Sequence, residues 1–289
     1  MQIGVSSYSF SRLTRTGEMS AEDVIVKTKE MGFDVLEFST IPLPEGESLP
    51  KYAEKLRAKA ESVGLPIVNY TIGADLINGS DGDLNAEVER VKRQVDVAQI
   101  LGVKGMRHDA TRGFTPEHKG PKSFDAALPR LVEGCRAITE YAADLGIRTM
   151  VENHGFFCQD SDRVEKLVCT VDHPNFGILA DVGNFICVDE NPGTALGRVM
   201  PHTFHVHFKD FHLKPGTSFP PGEGWNLSRG GNFWRGSIIG HGDVPLLQCV
   251  QVLKRNNYDG VVSIEFEGME DTIRGIQIGQ DNLRRLLGA

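Results

Sequence analysis

The feature that most constrains the fold of this chain is a repeated pattern of an amphipathic segment, a glycine and a short apolar run. It occurs as KTKEMGFDVLEF, LRAKAESVGLPIVNY, VAQILGVKGMRH and TEYAADLGIRTMVEN. A glycine in the left-handed conformation closes the last turn of a helix, after which the chain can enter a strand. The apolar runs are short and rich in Val, Ile and Phe, as is typical of parallel strands buried on both faces. The sequence therefore predicts alternating helices and parallel strands.

Eight such strand–helix units can be counted along the chain. We expect the strands to begin near Ile3, Asp34, Ile67, Lys104, Arg148, Phe176, Thr203 and Val261. We expect the helices at 20–31, 48–63, 84–101, 122–145, 160–171, 191–199, 244–257 and 271–287. Eight units in a chain of 289 residues predict a single (β/α)8 barrel domain over residues 1–289. The competing doubly wound sheet usually has a glycine-rich phosphate turn after its first strand, and SSYSFSRL contains none.

One segment, residues 211–242, shows no helix or strand pattern and contains both tryptophans, Trp225 and Trp234. It follows the seventh predicted strand. Long irregular segments are uncommon in compact domains and usually serve as lids or binding loops. We therefore expect a long loop that folds over the mouth of the barrel.

Composition excludes several classes of protein. The chain has 39 acidic and 31 basic residues, a net charge of −8, which argues against binding to nucleic acid. No apolar run approaches the ~18 residues of a membrane span. The start MQIGVSSYSF lacks the features of a secretion signal, and the five cysteines show no CxxC spacing. These features predict reduced thiols, a cytoplasmic location and a small-molecule substrate.

Polar side chains are concentrated where the predicted strands end, which is where barrel enzymes place their active sites. Side chains two positions apart on a strand share a face, so several of these can point into the barrel together. The candidates are Glu37, Asn69, His108, Glu152, His154, Asp181, His205, His207, Lys209, Glu265 and Glu267.

Carboxylates and imidazoles inside a narrow barrel would be poorly solvated unless a cation neutralised them. Strands 5 to 8 each offer a group that can bind metal at the same end. Such a set, rich in oxygen with one imidazole, suits Mn²⁺, Mg²⁺, Co²⁺ or Zn²⁺. We expect one divalent ion, with Mn²⁺ as the first choice. Strand parity leaves open the choice between His205 and His207, and between Glu265 and Glu267.

Four motifs, in this order and at barrel spacing, resemble the xylose-isomerase-like barrel superfamily. They are VENH (151–154), ILADVGNF (178–185), FHVHFKDF (204–211) and GVVSIEFEG (260–268). The superfamily contains sugar phosphate isomerases and epimerases, ketose 3-epimerases, inosose dehydratases and endonuclease IV. The stretches GFDVLEF and GHGDVPLLQCVQVLKRNNYDG also resemble its second strand and last helix.

The resemblance implies a ligand set and a reaction. It implies Glu152, Asp181, His207 and Glu265 as metal ligands, which selects His207 over His205 and Glu265 over Glu267. It implies a divalent-metal-dependent isomerase or epimerase that acts on a sugar or keto-sugar through a metal-stabilised enediolate. Glu152 and Glu265 would then remove and return the proton on opposite faces.

The chain departs from the ketohexose 3-epimerase pattern at three positions. Cys158 replaces a second glutamate, Asn184 replaces a substrate-binding histidine, and Leu213 replaces an arginine. These departures argue against a free ketohexose as substrate. The side chains expected to contact the substrate are Glu37, Asn69, His108, Asn184, Lys209, Trp225 and Trp234.

Three alternatives are weighed against the isomerase or epimerase. The nearest is a metal-dependent lyase, either a dehydratase or a barrel subunit that cleaves 3-keto-glycosides or C-glycosides, with His154 as the base and an aromatic loop against the aglycone. A lyase would be expected as a heteromer, whereas the first hypothesis allows a homo-oligomer. An endonuclease IV-like nuclease is disfavoured by Asn69 in place of a histidine and by the charge, and only Asp210 and His212 offer a D-x-H. A barrel that only binds would have no use for the inward carboxylates.

Overall fold

Eight parallel strands close into a barrel in the computed structural model, which describes residues 1–288. The strands in chain order are β1 Gln2–Ser6, β2 Val35–Phe38, β3 Ile67–Ile72, β4 Gly105–His108, β5 Arg148–Glu152, β6 Phe176–Asp181, β7 Thr203–Phe208, β8 Asp210–Lys214, β9 Asn226–Leu227, β10 Phe233–Ser237 and β11 Val261–Ile264. Strands β1 to β7 follow one another around the barrel, and β11 closes it between β7 and β1. The predicted (β/α)8 barrel is confirmed.

Helices alternate with the barrel strands. They are α1 Ser11–Arg15, α2 Ala21–Glu30, α3 Leu49–Val63, α4 Leu84–Leu101, α5 Phe124–Asp144, α6 Ser161–Val171, α7 Pro192–Val199, α8 Leu246–Arg255 and α9 Thr272–Leu287. Helices α2 to α9 match the eight that the sequence predicts, and α1 is one additional short turn. The glycines predicted to end helices are present after α3 and α4, where Gly64 and Gly102 have φ of +64° and +79°. Within the described range, no helix has the length and apolar character needed to cross a membrane.

The barrel interior is unusually polar for this fold, in which branched apolar side chains normally fill the centre. Asn69 Nδ2 donates to Glu37 Oε2 at 2.8 Å, and His205 Nε2 lies 3.1 Å from Ser263 Oγ. A glycine on β4 makes room for this layer, because a Cβ at Gly105 would lie 2.9 Å from Asn69 Oδ1. The apolar core therefore lies mainly between the strands and the helices, and the interior is left to groups that need polar partners.

The segment expected to be an irregular loop contains a small antiparallel sheet. Strand β10 lies between β8 and β9, with a register that runs from Phe233 opposite Lys214 to Ser237 opposite Asp210. The sequence showed no strand pattern here, because the many glycines and prolines of the segment obscure three short strands. The Asp210 carboxylate fastens the end of the segment by accepting hydrogen bonds from the backbone N–H groups of Gly240, Gly242 and Val244. The sheet holds the segment in a defined position above β7.

Candidate active site

A cavity of about 470 Å³ opens at the carboxyl ends of the barrel strands. Its wall combines strand ends, the loop after β5 and the sheet that follows β7. The charged and aromatic side chains that line it are Tyr8, Arg107, Asp109, Arg112, Glu152, His154, Phe156, Lys209, Trp234, Glu265 and Glu267. This is the end of the barrel at which the sequence predicts the active site.

At the base of this cavity, the four side chains implied as metal ligands come together. Glu152, Asp181, His207 and Glu265 are all buried, and each offers one ligand atom within 4.8 Å of the other three. His207 Nδ1 lies 3.4 Å from Glu265 Oε1 and 3.9 Å from Asp181 Oδ2. Among the described residues, neither His207 Nδ1 nor Asp181 Oδ2 has a hydrogen-bond partner, although Lys209 Nζ lies 3.4 Å from Asp181 Oδ2. Buried polar atoms without partners are costly, so these residues fit a bound divalent cation. We refer to the four residues as the metal cluster.

The opposite edge of the His207 ring faces a second acidic group. Glu37 Oε1 lies 2.7 Å from His207 Nε2, and Glu37 Oε2 lies 2.9 Å from His205 Nε2. Burial acts to lower the pKa of His207, but the Glu37 carboxylate, followed by Glu265, outweighs it and raises that pKa to about 10. His207 therefore directs Nε2 to a buried carboxylate and Nδ1 to the metal cluster. Glu37, His205 and His207 also form a second group with the donor types of a metal site.

The cavity carries more negative than positive charge. Its lining has three cationic side chains, Arg107, Arg112 and Lys209, and four carboxylates, Asp109, Glu152, Glu265 and Glu267, and the buried Asp181, 3.4 Å from Lys209 Nζ, adds a fifth. Burial raises the pKa of Asp181 to about 6, although the Lys209 ammonium opposes this shift. Burial also acts to lower the pKa of Lys209, but Asp181 and the neighbouring glutamates hold it well above its usual value. Negative charge in excess at a buried site favours a divalent cation.

Both carboxylate oxygens of Glu152 have protein partners. Asn184 Nδ2 donates to Oε1 at 2.8 Å, and Arg107 Nη2 lies 2.5 Å from Oε2. Arg107 also pairs with Asp109 at 2.8 Å and donates to the Ile72 carbonyl at 3.1 Å. Asn184, expected to contact substrate, thus both lines the cavity and orients a member of the metal cluster.

His154 is the exposed imidazole of the cavity. Its Nδ1 lies 2.8 Å from Asp109 Oδ1, and its side chain is 35% exposed. Asp109 is held in turn by Arg107, whose guanidinium, together with His154, keeps the Asp109 pKa below its usual value against the effect of burial. An ionised Asp109 fixes the ring and leaves His154 Nε2 without a protein partner in the part of the chain described. This carboxylate–imidazole pair has the arrangement of an oriented general base.

Four residues expected to contact the substrate do not line this cavity; Glu37, Asn69 and His108 belong to barrel strands, and Trp225 belongs to the segment after β7. Glu37 and Asn69 are inside the barrel and are 0% and 1% exposed. His108 is also 0% exposed, and its ring stacks on Phe176 at 6.3 Å. None of the four lines the cavity, so a direct contact with substrate does not fit their positions.

Arg107, which the sequence analysis did not select, takes the place expected for His108. Neighbouring side chains on a strand point to opposite faces, and Gly105 and Arg107 share the face of β4 that looks into the barrel. Strand parity could have identified Arg107, because alternation along β4 puts it on the inward face, just as alternation along β3 puts Asn69 on the inward face. Asp109 had no comparable signal, since it lies beyond the end of β4.

The two tryptophans of the segment after β7 occupy different places. Trp234 lines the cavity and packs on Phe211 with ring centroids 4.8 Å apart, whereas Trp225 does not line it. Trp225 instead stacks under Lys214 and Arg235, each 5.7 Å from its ring. Trp234 Nε1 is buried and has no hydrogen-bond partner among residues 1–288. The segment therefore contributes one indole ring, that of Trp234, to the wall of the cavity.

Comparisons with known proteins define the class. The family model for the xylose isomerase-like TIM barrel matches residues 25–286. The chain belongs to this family.

Two relatives and one solved structure illustrate its neighbours. Inosose dehydratase of Clostridium botulinum is 27% identical over 138 residues, which cover 47% of this chain and 46% of the relative. The match thus spans about half the length of such curated relatives. 3-Oxo-isoapionate decarboxylase of Pectobacterium atrosepticum is 26% identical over 261 residues, 89% of this chain and 82% of that protein. D-Psicose 3-epimerase of Clostridium cellulolyticum H10, in a structure with D-tagatose, superimposes with a TM-score of 0.75 at 18% identity over 99% of both chains, which supports the fold alone.

Proposed function

We propose that this protein is a divalent-metal-dependent enzyme that removes the proton beside the carbonyl group of a sugar or keto-sugar. The observation that carries the proposal is the metal cluster, whose unpartnered atoms meet at the base of a cavity. Glu152, Asp181, His207 and Glu265 would hold the ion. When bound there, a divalent ion supplies a Lewis acid that polarises a substrate carbonyl. Mn²⁺ remains the proposed ion.

The geometry favours His154 as the group that takes the proton. Glu152 is engaged by Arg107 and Asn184, and Glu265 Oε2 lies 2.8 Å from Lys209 Nζ. Burial acts to raise the pKa of Glu265, but Lys209 and His207 lower it, which makes that carboxylate a weak base, and neither oxygen of Glu152 is free of a protein partner. His154 has one nitrogen fixed by Asp109 and the other free. His154 lines the same cavity as Glu152 and Glu265 of the metal cluster, so a substrate held at the cluster would lie in the cavity that this base faces.

Elimination needs one free base, whereas epimerisation by Glu152 and Glu265 would need two free carboxylates. The single free base of this cavity therefore suits elimination better. In an elimination, His154 would take the proton, the C–H electron pair would become a carbon–carbon double bond, and the group on the next carbon would leave with its bonding pair. Tyr8 lines the same cavity, and Glu267 chiefly, with burial second, raises its pKa to about 12. Tyr8 is therefore protonated at neutral pH and can donate a hydrogen bond to a leaving oxygen. The lyase alternative is accordingly the finer form that we propose.

The sequence relatives support this direction. The names inosose dehydratase and 3-oxo-isoapionate decarboxylase both describe lyases. Each reaction, as named, requires an electron pair to be stabilised beside an oxygenated carbon. The same requirement would be met here by the metal cluster with His154.

Epimerisation or isomerisation stays as the second candidate. It rests on the presence of two glutamates, Glu152 and Glu265, in the same four-residue cluster. With the Lys209 side chain turned away from Glu265 Oε2, that carboxylate could return a proton to the opposite face. The two candidates share their first step and differ in whether the carbon skeleton receives a proton or loses a group.

Proton exchange in D₂O tests the proposal. Mn²⁺-loaded protein is incubated with a panel of 2-keto and 3-keto sugars and keto-inositols, and the products are followed by NMR. We expect loss of the hydrogen beside the carbonyl, followed by an unsaturated product, with both abolished in His154→Gln while Mn²⁺ stays bound. An intact, deuterated epimer formed at the normal rate by His154→Gln would instead support the two-glutamate mechanism. No exchange with any member of the panel would contradict the proposed function.

A further inference from the structure

A turn of the sheet that follows β7 contacts the loop that carries His154. We name residues 228–232, between β9 and β10, the lid turn, and residues 153–159, after β5, the His154 loop. Arg229 of the lid turn forms a bidentate ion pair with Asp160, with Nη1 2.5 Å from Oδ1 and Nη2 2.9 Å from Oδ2. The same Nη2 donates to the carbonyl oxygen of Phe156. One guanidinium thus joins two segments about 70 residues apart in sequence.

The Phe156 carbonyl belongs to a strained part of the His154 loop. Gly155 and Phe156 have φ of +79° and +65°, and a β-bridge pairs His154 with Cys158 around them. A positive φ is unfavourable for a residue with a side chain and persists only where its surroundings hold it. The Phe156 N–H donates to Gln159 Oε1 at 2.6 Å, and its carbonyl accepts from Arg229. The turn two residues after His154 is therefore held on one side by its own loop and on the other by the lid turn.

We propose that Arg229, by contacting both Phe156 and Asp160, is a positioning residue that couples the docked lid turn to the orientation of the His154 ring. The assignment of His154 as the base rests on the proposed function, whereas the coupling between the two segments does not. When the lid turn is docked, the Phe156 peptide is fixed and His154 keeps its contact with Asp109. When the lid turn leaves, the Phe156 carbonyl loses its hydrogen bond from Arg229, and the turn keeps only the hydrogen bonds that the His154 loop and Arg163 supply. The base would thus be correctly oriented only beneath a closed cavity.

The chain offers a matched control for this coupling. A separate set of contacts holds the lid turn to the barrel, because Asp189 accepts from Ser228 Oγ at 2.6 Å and from Asn232 Nδ2 at 2.7 Å. Arg235 lies on β10 of the same sheet, but its guanidinium contacts Met269 Sδ and Glu270. Arg235→Gln therefore removes an arginine from the sheet without touching the His154 loop.

Hydrogen exchange measures the coupling without any substrate. Mn²⁺-loaded wild type, Arg229→Gln, Arg229→Lys and Arg235→Gln are compared at the amides of Phe156 and Phe157. We expect roughly tenfold faster exchange at both amides in Arg229→Gln, a partial return in Arg229→Lys, and wild-type rates in Arg235→Gln. Mn²⁺ affinity should be unchanged in all three variants, since Arg229 contacts no member of the metal cluster. Wild-type exchange at Phe156 and Phe157 in Arg229→Gln would overturn the proposal.

A spectroscopic measurement tests positioning rather than general loosening. The ¹⁵N shifts of the His154 ring report which nitrogen carries the proton, and Asp109 selects Nδ1 in the docked state. We expect one tautomer in wild type and Arg235→Gln, and a mixture in Arg229→Gln that Arg229→Lys partly restores. A single unchanged tautomer in Arg229→Gln would contradict the coupling. By contrast, keto-sugar exchange that survives His154→Gln would refute the proposed function while leaving these results intact.

Discussion

Replacing Glu37 by glutamine is expected to weaken Mn²⁺ binding about tenfold although Glu37 is not one of the four proposed ligands. Glu37 is fully buried, and its Oε1 lies 2.7 Å from His207 Nε2, on the ring edge opposite the metal cluster. A carboxylate in this position fixes the ring and makes the other nitrogen a better ligand. Glutamine keeps the size of the side chain and removes the charge.

The magnitude follows from the contact that is lost. Removing an outer partner of a metal-bound histidine typically lowers affinity 10–100-fold, or about 1.4–2.7 kcal/mol. Glu37 Oε1 and His207 Nε2 are close, but neither has a partner with good hydrogen-bond geometry. A poorly aligned contact contributes less than a linear one, so the lower end of the range applies.

The assay is calorimetric titration of metal-free protein with Mn²⁺, accompanied by urea unfolding. The control is Asn69→Ala, which removes the hydrogen bond to Glu37 Oε2 and leaves the contact with His207. Both variants should lose stability, because each leaves a buried polar group without a partner. Only Glu37→Gln should lose affinity for Mn²⁺. Wild-type affinity in Glu37→Gln, or an equal loss in both variants, would refute the orienting role.

Three further predictions concern the lid, the metal and acid stability. Trp234→Phe should raise KM and leave Mn²⁺ affinity unchanged, because the indole lines the cavity with an unpartnered Nε1 but lies outside the metal cluster; an unaltered KM would contradict this. Mn²⁺ at a hundredfold excess over its Kd should raise the free energy of unfolding by about 2.7 kcal/mol in thermal melts, and no shift would contradict tight native-state binding. Desolvation opposes the ionisation of Glu87, but its hydrogen bonds with Arg90, Asp75 and Ser80 lower its pKa to about 2 from 4.5. The stability that ionised Glu87 adds is therefore present above pH 4.5 and is lost as the pH falls through 2. In urea unfolding, Glu87→Gln should cost about 1–3 kcal/mol at pH 7 and much less at pH 2.

The barrel was predictable from the sequence because its signal is local and repeated. Helices α2, α3, α4 and α5 are each followed within two residues by a glycine with a positive φ, as at Gly64 and Gly102, and a short barrel strand follows each of them. The sheet after β7 was not predictable in this way. Its strands are two to five residues long, and β10 pairs with β8 across a stretch rich in glycine and proline. Non-local pairing of short strands leaves little trace in a single sequence.

The candidate site was predictable in part. Strand ends placed Glu152, Asp181 and Glu265 at one end of the barrel, and the structure brings them to one point with His207. The choices of His207 over His205 and of Glu265 over Glu267 rested on resemblance, because side chains two positions apart on a strand share a face and parity cannot separate them.

The residues around the metal cluster were harder to find. Arg107 was missed because its neighbour His108 has the side chain more typical of an active site. Asp109 and Arg229 act through side-chain contacts between separate segments, which the spacing of residues in the sequence does not encode. The single domain over 1–289, the cytoplasmic location and the oligomeric state stay predictions.

Anomalous diffraction at the manganese edge, on crystals grown with Mn²⁺, tests the central claim most directly. The structure contains two groups with the donor types of a metal site, and His207 belongs to both. We expect one strong peak on the Nδ1 side of His207, among Glu152, Asp181 and Glu265. A peak on the Nε2 side, between Glu37 and His205, or no peak at either position, would contradict it.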